Sequence, residues 1–323
     1  MEDTRMRKIL SLVLCLMMII SCIPAMAEEA EAVKTGLSVE TSLSKSKDNA
    51  YQANMAVTAV TVDDNGVITS CIIDAIQVKV AMDATGKITT DLATAFQSKN
   101  ELGDGYGMRK ASSIAAEWNE QAAAFAAFCE GKTIDEVKNA PVDENGKAVD
   151  VIASCTLAAA DFIPGVEAAV ANAAHLGAKK GDVLKLTQYT TISKSKDATA
   201  EADGQVQAYA HVGAFTVNGD IITSAYIDAV QATAKFNAEG KLTSDVTAAV
   251  QTKQQIKEDY GMKAISPIGK EWYEQANGFC AFITGKTLNE AIAIAANPAE
   301  TDVVASCTIG TDAFLQLIVK AGL

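Results

Sequence analysis

Histidine is nearly absent from this chain of 323 residues, which has two, and aromatic residues make up 6%. No Gly-x-Ser-x-Gly, no metal-ligand cluster and no Ser-His-Asp set is visible, which puts a hydrolase lowest among the function classes. Basic side chains are also outnumbered, with 27 Lys and Arg against 40 Asp and Glu and a formal net charge of −13. Nucleic acid and anionic lipid both require clustered Lys and Arg, so they are poor partners; a small molecule or another protein fits better. The seven cysteines contain no C-x-x-C pair, which speaks against a zinc site, thiol exchange and a disulfide framework.

The apolar run from Leu10 to Ile23, about 14 residues, is short for a membrane span of roughly 20. Arg5, Arg7 and Lys8 precede it, so it reads as the n-region and h-region of a signal peptide, and export is expected. Ala25-Met26-Ala27 gives a small-x-small cleavage site and a signal peptide of residues 1–27. Ile19-Ile20-Ser21-Cys22 offers a second possibility, a lipoprotein anchored through Cys22. Cleavage after Ala27 leaves five cysteines, of which Cys71, Cys129 and Cys280 read as buried small hydrophobes.

The chain repeats itself. Ser44-Lys45-Ser46-Lys47-Asp48 returns as Ser193-Lys194-Ser195-Lys196-Asp197, and Ile73-Asp74-Ala75-Ile76-Gln77 as Ile227-Asp228-Ala229-Val230-Gln231. Tyr106-Gly107-Met108 matches Tyr260-Gly261-Met262, and Glu117-Trp118-Asn119-Glu120-Gln121-Ala122 matches Glu271-Trp272-Tyr273-Glu274-Gln275-Ala276. Units this long indicate duplication of a whole domain, giving domains at 34–176 and 182–323 joined by a linker at 177–181. His175 and His211 are not equivalent between the units, which argues against a paired acid-base or metal role.

Within each unit, a strand, an Asn-Gly turn and a second strand are expected at 55–76 and at 214–230. A further hairpin is expected around Asp83-Ala84-Thr85-Gly86, with its counterpart at Asn237 to Gly240. A helix from Ser112 or Ser113 to Cys129 follows, started in the second unit by Ser266-Pro267. Closing helices at 161–174 and 312–321 complete an α+β fold of two homologous domains, each a mostly antiparallel sheet packed by helices, ending strand, corner, helix.

The corner itself occurs twice, as Asp150-Val151-Ile152-Ala153-Ser154-Cys155-Thr156 and Asp302-Val303-Val304-Ala305-Ser306-Cys307-Thr308. With the Asp-Asn-Gly hairpin before it and a helix after it, it resembles the terminal corner of the bacterial FMN-binding domain family. The chain is also similar to exported two-domain proteins of Gram-positive bacteria that serve extracellular electron transfer. The resemblance implies FMN as cofactor, one per domain, esterified at Thr156 and Thr308, and a flavin transferase and membrane electron-transport proteins as partners. It further implies cofactor contacts from Asp150 and Asp302, while Ser154 and Ser306, at the position of the family's glycine, carry hydroxyls able to donate to a phosphate. Asp74, Gln77, Asp228 and Gln231, polar groups on apolar strands, either reach an isoalloxazine edge or turn to solvent.

Where the family has Ser-Gly-Ala, this chain has Ala-Ser-Cys in both corners. Loss of the glycine removes the freedom with which a backbone wraps a phosphate, leaving non-covalent or lost flavin binding as alternatives. The expected function is a flavin-dependent electron carrier of the cell envelope, more a redox carrier or binding protein than a turnover enzyme. The alternative is a cofactor-free binding or structural module on the same scaffold.

Overall fold

Strand alternation with a period of two sends one set of side chains to each face of a sheet, and here both faces are covered. In the computed structural model, residues 30–151 and 153–323 are described; the expected signal peptide, its cleavage site and Cys22 lie outside them. The first half runs β1 (Lys34–Ser42), β2 (Ala50–Val62), β3 (Ile68–Ala81) and the short β4 (Ala95–Phe96). Helices α1 (Lys99–Leu102), α2 (Trp118–Cys129), α3 (Ile134–Lys138) and α4 (Ile163–Ala171) follow. The second half repeats the order with β5 (Val183–Thr191), β6 (Gly204–Asn218) and β7 (Ile221–Phe236). Its helices are α5 (Lys253–Ile256), α6 (Trp272–Ile283), α7 (Leu288–Ala296) and α8 (Asp312–Ala321).

The protein is α+β, with an antiparallel sheet β1-β2-β3 and a second antiparallel sheet β4-β5-β6-β7, each packed by helices. Inward residues of both sheets, Met55, Val57, Val78 and Val80 from one and Ala208, Val212, Ala232 and Phe236 from the other, make one central core. Two outer cores lie between each sheet and its own helices. Phe125, Phe162 and Val166 fill the first; Phe279, Phe314 and Leu317 fill the second.

The halves also exchange edges. Phe96 of the first half pairs with Thr190 on β5, and Val250 of the second half bridges to Thr41 on β1. A buried hydroxyl contact of 2.7 Å joins Thr35 on β1 to Ser224 on β7. The Tyr51 hydroxyl donates to the Ala232 carbonyl at 2.7 Å across the central core. The segment expected as a linker is packed: Ala178 is buried and its carbonyl accepts from the Val33 N–H. Residues Ala32–Leu323 accordingly form one compact unit.

Several boundaries differ from the sequence expectation for local reasons. Helices α2 and α6 begin at Trp118 and Trp272, later than the serines suggested. Ala115 and Gly269 take positive φ and break the run, and Glu117 and Glu271 make capping boxes with Glu120 and Glu274. The hairpins around residue 84 and residue 238 reduce to single bridges, Met82 with Ile88 and Phe236 with Leu242. The residues entering each corner form 3₁₀ turns, Val149–Val151 and Asp302–Ala305, instead of strands. Strands β1 and β5 were not anticipated.

Candidate functional site

Each corner is built by satisfying its own backbone. In the first, the N–H groups of Ser154 and Cys155 donate to the Val151 carbonyl, and the Ser154 hydroxyl donates to the same oxygen. The Thr156 N–H and Oγ1–H both donate to Gln121 Oε1, at 2.9 and 3.0 Å. The second corner repeats this, with Ser306 and Cys307 on Val303 O and Thr308 on Gln275 Oε1 at 2.8 and 3.0 Å. Gln121 and Gln275 are fully buried and spend their Nε2 groups on Ser112 Oγ and Ala116 O, and on Ser266 Oγ and Lys270 O. Asp150 and Asp302 stand exposed at the start of the corners.

Asp74 and Asp228 are buried and face inward to their own loops. Ser98 Oγ–H and the N–H groups of Ala75 and Asn100 donate to Asp74. Thr252 Oγ–H and the N–H groups of Ala229 and Gln254 donate to Asp228. Burial pushes both carboxyls up to about 6, against the pull of these hydrogen bonds. Each aspartate thereby fixes the short helix, α1 or α5, that carries a lysine into a cleft.

Those lysines, Lys99 and Lys253, are the residues that sequence reasoning missed. The first cleft, 880 Å³, lies on the outer face of the first sheet; Gln77, Lys79, Lys99, Tyr106, Trp118 and Leu157 line it. Lys99 Nζ sits 4.7 Å from the Tyr106 ring centre and 4.5 Å from that of Trp118. The second cleft, 410 Å³, has Gln231, Lys253, Tyr260, Trp272 and Thr308 in its wall. Lys253 Nζ lies 4.4 Å from the Tyr260 ring and 4.9 Å from Trp272, and donates to the Tyr209 hydroxyl at 2.6 Å. Burial pulls Lys253 down to about 8, with Asp228 opposing. The matched lysines fall at a constant offset in the repeat, just after the helix-capping Ser98 and Thr252, and that recurrence was the available signal.

Gln77 Nε2 donates to Asn54 Oδ1 at 3.0 Å, so the amide pair spans neighbouring strands at the floor of the first cleft. Among the described residues, no group of three or more His, Cys, Asp or Glu is placed to hold a metal ion, and no helix is long and apolar enough to cross a membrane. All five described cysteines are free and buried. Burial raises Cys155, and takes Cys307 to about 11 and Cys280 to about 12, so these thiols stay protonated and pack as apolar groups.

The clefts and the corners fit an FMN differently. An aromatic wall with lysines and an amide pair suits a planar ring that carries oxygens. In the corners, protein oxygens take the backbone N–H groups of residues 154–156 and 306–308, so these six are not available to a phosphate. Comparison with protein-family models, curated proteins and solved structures gives no match for this chain.

Proposed function

We propose that the protein is an exported flavin-binding electron carrier of the cell envelope, with its flavin ring in a cleft lined by lysine, tyrosine and tryptophan. The observation that carries this reading is convergence. Lys99, Tyr106 and Trp118 come from separate stretches of sequence and meet in one cleft with Gln77 and Leu157, the residue that follows the corner. In such a site the chain binds and orients, and bound FMN supplies the one- and two-electron chemistry. Lys79 and Lys99 neutralise an anionic ligand in a chain whose net charge is otherwise strongly negative. Tyr106 and Trp118 give the ring apolar faces, and Gln77 with Asn54 faces its polar edge.

The purified protein, expressed with and without a flavin transferase, tests this. A yellow protein, or saturable quenching of FMN fluorescence that Lys99→Met weakens about tenfold, supports it; tenfold corresponds to about 1.4 kcal/mol. A colourless protein that leaves FMN fluorescence unchanged sinks it. An intact mass raised by one or two FMN units assigns ester linkage at Thr156 or Thr308, and an unmodified mass assigns reversible binding. A second reading, a cofactor-free binding module, is favoured by the self-satisfied corners. It requires that Thr156→Ala with Thr308→Ala leave ligand binding and phenotype as in the parent.

A further inference from the structure

We infer that the second cleft is narrowed from its floor by its own side chains, with Tyr209 and His211 standing where the first cleft takes a planar aromatic ligand. This rests on the flavin reading for the ligand's identity, and on geometry alone for the narrowing.

Strand register sets the equivalence. Asn54 on β2 pairs with Gln77 on β3, and Tyr209 on β6 pairs with Gln231 on β7. Two residues on, Ala56 pairs with Ala75 and His211 with Ala229. Asn54 and Ala56 therefore correspond to Tyr209 and His211, on the sheet face that floors each cleft. Four further wall residues recur in both: lysine, tyrosine, methionine and tryptophan at matched positions. Two small residues in one half are thus replaced by two rings in the other.

The rings behave as an occupant. Tyr209 and His211 have centroids 4.3 Å apart, and His211 meets Phe314 edge-on at 6.1 Å. The Tyr209 ring lies 4.7 Å from Lys253 Nζ, and its hydroxyl oxygen accepts a hydrogen bond from the ammonium at 2.6 Å. Lys253 is only 3% exposed as a result. Among the described residues, nothing takes this place in the first cleft, and the cleft is about twice the volume. The pair also specifies what the first cleft accepts: a flat ring system of about two rings' extent, with a ring oxygen directed at Lys99. A ring bearing an imide or phenolic oxygen meets that description.

The chain therefore holds one such ligand, not two. Equilibrium titration with FMN is expected to give one equivalent per chain. Asn54→Tyr with Ala56→His, which grafts the two rings onto the first half, is expected to weaken binding at least 100-fold. Tyr209→Asn with His211→Ala is expected to raise the stoichiometry to two. Two equivalents in the parent protein, or undiminished binding after the graft, overturns the inference while leaving the flavin reading intact.

A ligand-free measurement keeps the two failures apart. Acetylation by an N-hydroxysuccinimide ester with peptide mapping should modify Lys99 and spare Lys253 in the parent, and modify Lys253 once Tyr209 and His211 are removed. If FMN does not bind at all, the flavin reading fails, and this lysine footprint alone decides the narrowing. Equal reactivity of Lys99 and Lys253 in the parent overturns it.

Discussion

The first and second halves share a frame and differ in content. Both hold their corner threonine on a buried glutamine, both anchor a short lysine-bearing helix on a buried aspartate, and both cap α2 or α6 with a glutamate. The differences are swaps of bulk. In the first half Gly165 on α4 lies against Thr58 on β2, where an added Cβ would come within 2.8 Å of the threonine oxygen. In the second half the bulk is on the helix, and Leu317 of α8 faces Gly213 on β6. A repeat can thus keep its skeleton while trading side-chain volume across an interface, and at the clefts the same kind of trade separates a wide site from a narrowed one.

The largest expected effect tests whether the shared frame carries equal weight in both halves. Glu117 is 2% exposed and accepts from the N–H groups of Met108 and Arg109 at 2.8 and 2.9 Å. Glu271, 3% exposed, does the same for Met262 and Lys263. Either carboxylate ties the loop behind its cleft to the start of a helix. Glu117→Ala or Glu271→Ala strands two N–H groups and removes a cap, an expected loss of about 4 kcal/mol in each case. Urea unfolding that costs one half much more than the other would break the equivalence.

How much of this was legible in the sequence depends on whether it was local. The antiparallel hairpins across the Asn-Gly turns and the helix at 312–321 are written in adjacent residues and could be read. The helix starts were misplaced because Ser112 and Ser266 looked like caps, whereas buried Glu117 and Glu271 do that work. The clefts were not legible. Lys99 looks like a solvated charge until β3, α1 and α2 bring it over Trp118, and no local pattern says that Tyr209 points at Lys253. The edge exchange was hidden as well, since two-residue β4 carries no strand pattern, and domain limits drawn from the repeat say nothing of a core shared between halves.

A pH measurement sharpens the difference between the halves. Asp74 and Asp228, at about 6, sit above their ordinary value of 3.8. The folded state therefore holds their protons more tightly, and each adds stability as pH falls, roughly 1 kcal/mol between pH 7 and pH 5. His211 acts in the opposite sense. Burial first, then the Lys253 charge, push it down to about 3, so the unfolded chain takes the proton first and stability is lost as pH falls through 6.5. That loss is roughly 2 kcal/mol over the same window, and only the second half carries it. Stability of the parent should change little between pH 7 and pH 5. His211→Phe should become about 2 kcal/mol more stable on acidification, and Asp74→Asn should reverse the sign and destabilise. A parent and a His211→Phe variant with parallel pH profiles would refute the neutral imidazole at the cleft floor.

The smallest effect concerns the seam. Tyr51 of β2 crosses the central core; its hydroxyl donates to Ala232 O at 2.7 Å and accepts from the Ala208 N–H at 3.3 Å. Register equates it with Val206, which is buried and offers nothing polar in return, so the cross-link is one-sided. Tyr51→Phe keeps the ring and removes a single oxygen, with an expected cost of about 1 kcal/mol. The shape of the transition matters more than its midpoint. Because the central core draws on both sheets and each half adds an edge pairing to the other, neither sheet is covered without its partner. Unfolding should stay a single transition in Tyr51→Phe, with the denaturant slope of the parent. A split transition, with one half outlasting the other, would mean that each outer core suffices for its own sheet and that the shared core adds stability without adding cooperativity.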